Sequence, residues 1–527
     1  MTQPSRSPLV RSTFDGLTTQ YQGAIIQGVA QLGVLILLAR LLTPRDYGLF
    51  GLATISVGFA ALVAQFGLRV AIVQRPALTD RIIRAGFTLA LLFGLGMALL
   101  LCATAPFLAR FFGNPQVTML IVVLSLSLLF TNLGIVAEAL LQREMAWRAI
   151  MWAEASSWIL GYSLVAAGMG LAGLGVWSLA GSVVCQALLR SSQMIRARPH
   201  AMRPLLSGPE FGELAQFGWA FTLARFCSNG AQQGDNFVVG KVLGAGPLGF
   251  YSRAFKLMQI PMTYFATIVT KVLFPTMARL QHTPEKMKSA YLTGAAVLSL
   301  VSAPLSVLLV VTAPELVHVV LGPRWLPAVL PLQILSLGIV ARSGYLMGYC
   351  LDGAMGTVLR RAARDAIYLA SVVGGSLIGT RFGIAGVAAG VLGAILIQYG
   401  LAASMGTGVL GYTWGEYIRC QVPGLVLGGL CAIIAVTVRL GLLQLGLPPV
   451  LVLGGTALAG SALTVLLIVG RPGLLGEHGR TAFTILWGLV GPKLPLGVVA
   501  RIQALARQLG RRGLGLRRVV SGDQITP

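Results

Sequence analysis

Five basic residues, Arg225, Arg253, Lys256, Lys271 and Arg342, lie inside long apolar stretches of this sequence. A charge at bilayer depth costs on the order of 3 kcal/mol on insertion scales, so such residues face a bundle interior or a wet cavity. Their spacing is one-sided. Within 248–278, Arg253, Lys256, Thr263, Thr267, Thr270 and Lys271 fall in an arc of about 100° on a helix. Just before it, Arg225, Ser228, Asn229, Gln232, Asp235 and Asn236 fall within about 120°. Two chemistries fit these stripes. One is a hydrogen-bond network internal to the bundle. The other is a hydrated cavity whose cations and amides replace water around an anionic cargo.

The elements that must hold these residues are membrane spans. Of the 527 residues, 56% are hydrophobic and only 11% charged, and the mean hydropathy is +0.80. Soluble domains carry about 25% charge. The chain therefore reads as an all-α polytopic membrane protein, with apolar runs each long enough to cross the hydrocarbon. Fourteen spans are predicted, at 17–42, 48–68, 85–109, 117–141, 149–168, 173–195, 214–243, 248–278, 288–312, 327–351, 360–379, 383–409, 417–441 and 448–470. Between the first two, TPRDYG reads as a short outer loop. An even number of spans puts both termini on one side. Leaving out the C-terminal tail, 19 Lys and Arg fall on that side and 7 on the other, which makes it cytoplasmic.

An internal repeat organises the spans. ARLLTPRDYGLF (39–50) and GKVLGAGPLGFY (240–251) align at an offset of 201, which also pairs Gln31 with Gln232 and Gln27 with Ser228. Gln20, Gln27 and Gln31 share an arc of about 40° on the first span. The expected domains follow: an N-tail (1–16), a six-helix N-lobe (17–195), a basic linker (196–213), a six-helix C-lobe (214–409), two further helices (410–470) and a basic tail (471–527). The pseudo-symmetric lobes face each other across a midplane cavity. In the tail, TAFTILWGLV is too short to span. RIQALARQLGRRGLGLRRVV reads either as a basic amphipathic segment on the anionic leaflet or as disordered.

Several function classes are excluded. The net charge of +24 sits beside membrane segments, so it does not mark nucleic-acid binding. No GxxxxGK[ST] loop is present. No Ser/His/Asp or paired-carboxylate arrangement is legible, the six cysteines form no CxxC pair and the four histidines are isolated. Neither an enzyme, a metal site nor a cofactor is expected.

Residues 235–281, with DNFVVGKVLGAGPLGFYSRAFKLMQIP followed by VLFPTMARLQ, resemble the polysaccharide-transporter branch of the multidrug/oligosaccharidyl-lipid/polysaccharide exporter superfamily, in particular its Wzx-type, colanic-acid-type flippases. ARLLTPRDYGLFGLA (39–53), ALLQREMAWRA (139–149) and LGPRWLPAVLPLQILSLG (321–338) extend the likeness over roughly 17–409. Two positions depart from the pattern, Leu49–Phe50 in the first turn and Pro247 in the second. The resemblance implies a V of two six-helix lobes in a bacterial inner membrane. It implies export of undecaprenyl-diphosphate-linked oligosaccharide for exopolysaccharide or lipopolysaccharide synthesis, alongside the polymerase and glycosyltransferases of the pathway. Arg225, Lys271 and Arg342 would then meet the diphosphate from the cytoplasmic side. Lys256 and Arg253 would hand it on, with Gln232 and Asn229 nearby. Gln20, Gln27, Gln31, Gln65 and Asn132 would serve the sugars. Asp235 is the candidate for proton or sodium coupling, ahead of Glu138 and Glu154; its alternative role is to pair with a basic neighbour. The competing readings are a lipid II flippase, an ion-coupled drug antiporter of the same superfamily and a non-transporting scaffold of a glycan-assembly complex.

Overall fold

The computed structural model describes residues 28, 31, 33–65, 67–75, 77–205, 212 and 229–470, with backbone alone at 264–272, 358–359 and 468–470. The N-tail, the start of the first span, Gln20, Gln27, Arg225, Ser228 and the tail from 471 lie outside the described residues. All regular structure among the described residues is helical.

Helical residues 33–41 (α1) lead into α2 (Pro44–Gln65), α3 (Leu68–Gln74), α4 (Asp80–Phe111), α5 (Gln116–Arg143) and α6 (Trp147–Ser156). A π-helical turn, Ser157–Leu164, joins α6 to α7 (Val165–Leu171), and α8 (Val176–Ala197) follows. Residues 229–242 (α9) precede α10 (Ala245–Arg279), α11 (Pro284–Val320), α12 (Val329–Leu337), α13 (Ile339–Met355), α14 (Val358–Gly379), α15 (Gly383–Leu410), α16 (Trp414–Gln444) and α17 (Pro449–Gly470). Seven helices among the described residues are long and apolar enough to cross a membrane, or eight if Pro323–Leu337 and Ile339–Met355, bent by 45°, form one broken span. Outward-facing residues such as Leu99, Ile433 and Leu458 are 60–73% exposed, an apolar surface that suits lipid rather than water.

TPRDYG is not a loop. Thr43 caps α2: its backbone N–H donates to the Asp46 carboxylate at 2.9 Å, and Asp46 N–H donates back to the Thr43 hydroxyl at 3.2 Å. Pro44 occupies the first helical position, where its missing N–H costs nothing. The predicted start at 48 is therefore four residues late. Thr413 and Glu416 form the same reciprocal cap on α16.

The chain divides into two compact units, and the division falls inside α10. The first holds the described residues to Ser252 with Val320–Gly322; the second holds Arg253–Val319 and the residues from Pro323. In the first unit, α8 packs against α5 and against the π-helical turn through small residues. A Cβ at Gly134 would fall 2.9 Å from the Ser191 Cα, and one at Gly161 2.7 Å from the Gln186 Cα. Without a hydrophobic drive between helices in lipid, such close approach supplies the packing energy.

The first turns of α2 and α10 meet still more closely. A Cβ on Gly48 would lie 1.6 Å from the Ala245 carbonyl oxygen, and one on Gly249 1.8 Å from that of Pro44. Pro44 matches Ala245, and Gly48 matches Gly249, at the repeat offset of 201. The two copies of the turn thus contact one another reciprocally, each glycine against the equivalent of its own neighbour four residues back.

After α8 the chain is strapped to α4. Arg84 Nε donates to the Arg203 carbonyl at 3.0 Å, and Leu205 N–H donates to the Thr88 hydroxyl at 2.8 Å. His200 packs edge-on against Phe87, ring centroids 5.6 Å apart.

In the second unit, α14 and α15 cross at reciprocal glycines, Gly375 against Gly390 and Gly379 against Gly386. Tyr291, Tyr412 and Tyr417 stack with Met347 and Leu351 in one core, centroids of Tyr412 and Tyr417 5.4 Å apart. α10 runs on through Pro261 and Pro275.

Candidate functional site

Asp235 sits on α9 and is 2% exposed. Burial at this level demands donors for a carboxylate. The Tyr251 hydroxyl, from the first turns of α10, donates to one oxygen at 2.8 Å; the backbone N–H of Asn236 donates to the other at 2.8 Å. Tyr251 is itself fully buried. On the same helix Gln232 is exposed and Asn229 half-buried, and Gln31, the repeat partner of Gln232 just before α1, is also exposed. The polar face of α9 thus splits into a buried acid and an outward amide row.

The second unit holds Arg253, Lys256, Lys271 and Arg342. Arg253 and Lys256 lie three residues apart on α10, half-buried and exposed respectively. Arg342, from α13, reaches the same helix: its guanidinium lies 5.0 Å from the Phe255 ring centroid and 3.9 Å from the Met258 sulfur. That contact spans the 255/258 side of α10, about 130° around from Lys256. Arg253 and Lys256 are brought together; Arg342 approaches from another side, held by a cation–π contact that keeps its charge. Lys271 is on α10 with only its backbone described, and Arg225 and Gln27 fall outside the described residues.

Sequence reasoning named Glu138 and Glu154 as ion-coupling candidates but did not anticipate their partners, nor two further ionic groups. Glu138 of α5, 5% exposed, is paired with Arg69 at 2.8 Å and Arg190 at 3.0 Å, and Arg190 also reaches Glu154 at 3.2 Å. These residues tie α3, α5, α6 and α8 together. In the second unit Arg364 pairs with buried Asp352, and the Tyr349 hydroxyl donates to Asp365 at 3.0 Å. Arg439 of α16 meets Glu315 of α11 at 2.8 Å. Partners over 100 residues apart, as in Arg439 and Glu315, leave no local periodicity to read.

A cavity of about 210 Å³ lies among α2, α5 and α8 of the first unit, lined in part by Gln65 and Asn132, two of the amides singled out by sequence.

The model for a family of polysaccharide biosynthesis proteins matches residues 37–330, more than half of the chain. The succinoglycan biosynthesis transport protein ExoT of Rhizobium meliloti (strain 1021) is 29% identical over 326 residues, covering 61% of this chain and 66% of that protein. The teichuronic acid biosynthesis protein TuaB of Bacillus subtilis (strain 168) is 26% identical over 288 residues, covering 53% and 58%. The chain thus spans less than two thirds of each of these relatives. Among solved structures, the lipid II flippase MurJ in an inward closed conformation superposes with a TM-score of 0.71 at 14% identity, over 86% of this chain and 99% of that one, a likeness of fold. With helical, multi-pass architecture among the described residues and a family match over more than half of its length, the chain belongs to the family of polysaccharide biosynthesis proteins.

Proposed function

We propose that this protein is a transporter, not an enzyme, that moves polyprenyl-diphosphate-linked oligosaccharide repeat units across a bacterial inner membrane by alternating access. The layout of fourteen spans in two pseudo-symmetric six-helix lobes with two C-terminal helices, and cytoplasmic termini, belong to the same reading. The observation that carries it is the reciprocal contact of Gly48 on Ala245 and Gly249 on Pro44. A repeat that packs copy against copy is the internal symmetry on which rocking transporters are built. The family match and the fold shared with a lipid II flippase support it.

The diphosphate would be met by the cations Arg225, Arg253, Lys256, Lys271 and Arg342, the sugars by neutral amides. Asp235 would serve ion coupling through a proton or sodium ion. Nothing in the arrangement of Arg253, Lys256 and Arg342 suits a cationic drug, which needs acidic partners. A lipid II flippase remains the second reading because the fold likeness favours it.

The test is deletion of the gene, followed by extraction of polyprenyl-linked glycans from the inner membrane. Accumulated repeat units that disappear on complementation support the proposal. A deletion strain with normal surface polysaccharide and normal lipid-linked pools, or one whose only defect is in peptidoglycan, refutes it.

A further inference from the structure

We propose that Lys241 and Arg40 are matched latches of an outer gate, each clasping the end of the third long helix of the other repeat; this rests on the transport reading above. For Lys241 the clasp is visible. It stands exposed in the last turn of α9, and its ammonium donates to the Phe111 carbonyl at the end of α4. The same ammonium lies 4.1 Å from the centroid of the Phe111 ring. The last carbonyls of a helix have no intrahelical donor and form the negative end of its dipole, so a cation suits them. Phe111 also stacks on Phe237 of α9, centroids 5.8 Å apart, and Phe112 meets Phe237 edge-on at 5.9 Å.

Each of these contacts joins the two repeats. α4 is the third long helix of the first copy, and α9 opens the second. The glycine crossing of α2 with α10 joins them likewise, and a Cβ on Gly240 of α9 would lie 2.5 Å from the Leu52 side chain of α2. The contacts gather toward one end of the helices: where α1 gives way to α2, where α4 stops and where α9 gives way to α10. In the transport reading that end faces away from the cytoplasm. The first compact unit accordingly takes in α9 and the start of α10, which the repeat assigns to the second copy.

Symmetry supplies the second latch. At the offset of 201 Arg40 matches Lys241, and it too is exposed, near the end of α1. Its target by symmetry is the end of α11, the third long helix of the second copy. Val320–Gly322, at and just past that end, fall in the first unit while the body of α11 does not. A gate must also open without stranding charge. A buried ion pair would leave an unpaired charge when parted. The Lys241 ammonium is already exposed and its partner is a neutral carbonyl, so both return to water.

Right-side-out membrane vesicles carrying the full chain with Gln232→Cys, a position on α9 about 14 Å inward of Lys241, are labelled from outside with an impermeant maleimide. The chain without that substitution gives the background from native cysteines. Lys241→Met and Arg40→Met are each expected to raise labelling at least fivefold, and Lys241→Arg to keep it within twofold of the parent. Thermal unfolding of each variant verifies that it is folded. Unchanged labelling in folded Lys241→Met overturns the proposal, and in folded Arg40→Met its symmetric half. Phe111→Cys combined with Phe237→Cys is then bridged by a short reducible bis-thiosulfonate reagent, with the single-cysteine variants as controls. The bridge is expected to slow flipping of a fluorescent polyprenyl-diphosphate oligosaccharide in proteoliposomes at least tenfold, with recovery on reduction. Flipping that continues past a completed bridge overturns the gate and leaves the transport reading standing. Latch-dependent labelling of a chain that flips nothing would keep the latch and defeat the transport reading.

Discussion

A charge in lipid needs a reason, and Lys256 illustrates how the reason is tested. It is exposed, with no carboxylate partner among the described residues, so its removal sacrifices no ion pair within them. Lys256→Gln is predicted to lower surface polysaccharide at least tenfold while leaving the amount of membrane-inserted protein unchanged, read by immunoblot and glycan assay on the same cells. A parallel loss of protein would assign Lys256 to folding instead. His200 gives a pH test outside the spans. Burial pushes its imidazole below the ordinary value of 6.5, and the Arg198 charge acts in the same direction. A folded-state depression favours the neutral ring. Its stabilising contribution is therefore full above pH 6.5 and declines as pH falls through 6.5 toward the lower folded value. Proteolysis of the 198–205 strap should thus quicken below that pH, and His200→Gln should flatten the profile. An unchanged profile in His200→Gln would remove the histidine from the account. At this scale the sequence singled out Asp235 by its depth in an apolar stretch, but the one-sided stripe did not separate it, as a buried acid, from the exposed Gln232. It could not disclose Tyr251 as the donor, because that pairing depends on how α9 and α10 pack.

At the scale of the element, the crossing of α2 and α10 makes the sharpest demand. Gly48→Ala pushes a methyl group into a backbone carbonyl at 1.6 Å, which no side-chain rotation relieves. The expected cost is at the upper end of the ~1–3 kcal/mol typical of overpacking, or beyond it. Gly96→Ala on α4, where a Cβ meets nothing within 4 Å, is predicted to be neutral or stabilising by about 0.5–1 kcal/mol. Thermal unfolding of the two variants in one detergent makes the comparison; equal midpoints would deny the close crossing. Most helices were legible because long apolar runs end at Gly and Pro. The Thr43–Asp46 cap was not, because polar residues in a first helical turn look like a loop until their reciprocal hydrogen bonds are seen. Nor was the 45° bend between Leu337 and Ile339, where apolar periodicity continues through Gly338 without a polar interruption. The π-helical turn at Ser157–Leu164 was equally illegible: one extra residue in a helical turn leaves no mark on composition.

For the whole molecule, the offset of 201 was visible in only a few matched residues, Leu42 with Leu243 and Gly48 with Gly249 among them. Its meaning emerged when the matched turns proved to touch each other. That contact unites the sequence repeat, the family match and the transport proposal. The most direct measurement is flipping by the purified full-length chain in proteoliposomes. A fluorescent polyprenyl-diphosphate oligosaccharide is placed in both leaflets, and an impermeant quencher reports the outer fraction over time. The account predicts that quenching proceeds beyond the outer-leaflet fraction in wild-type vesicles and stops there in empty vesicles and in Lys256→Gln vesicles. Quenching that halts at the outer-leaflet fraction with correctly folded wild-type protein, or that passes it equally in the Lys256→Gln vesicles, would contradict it.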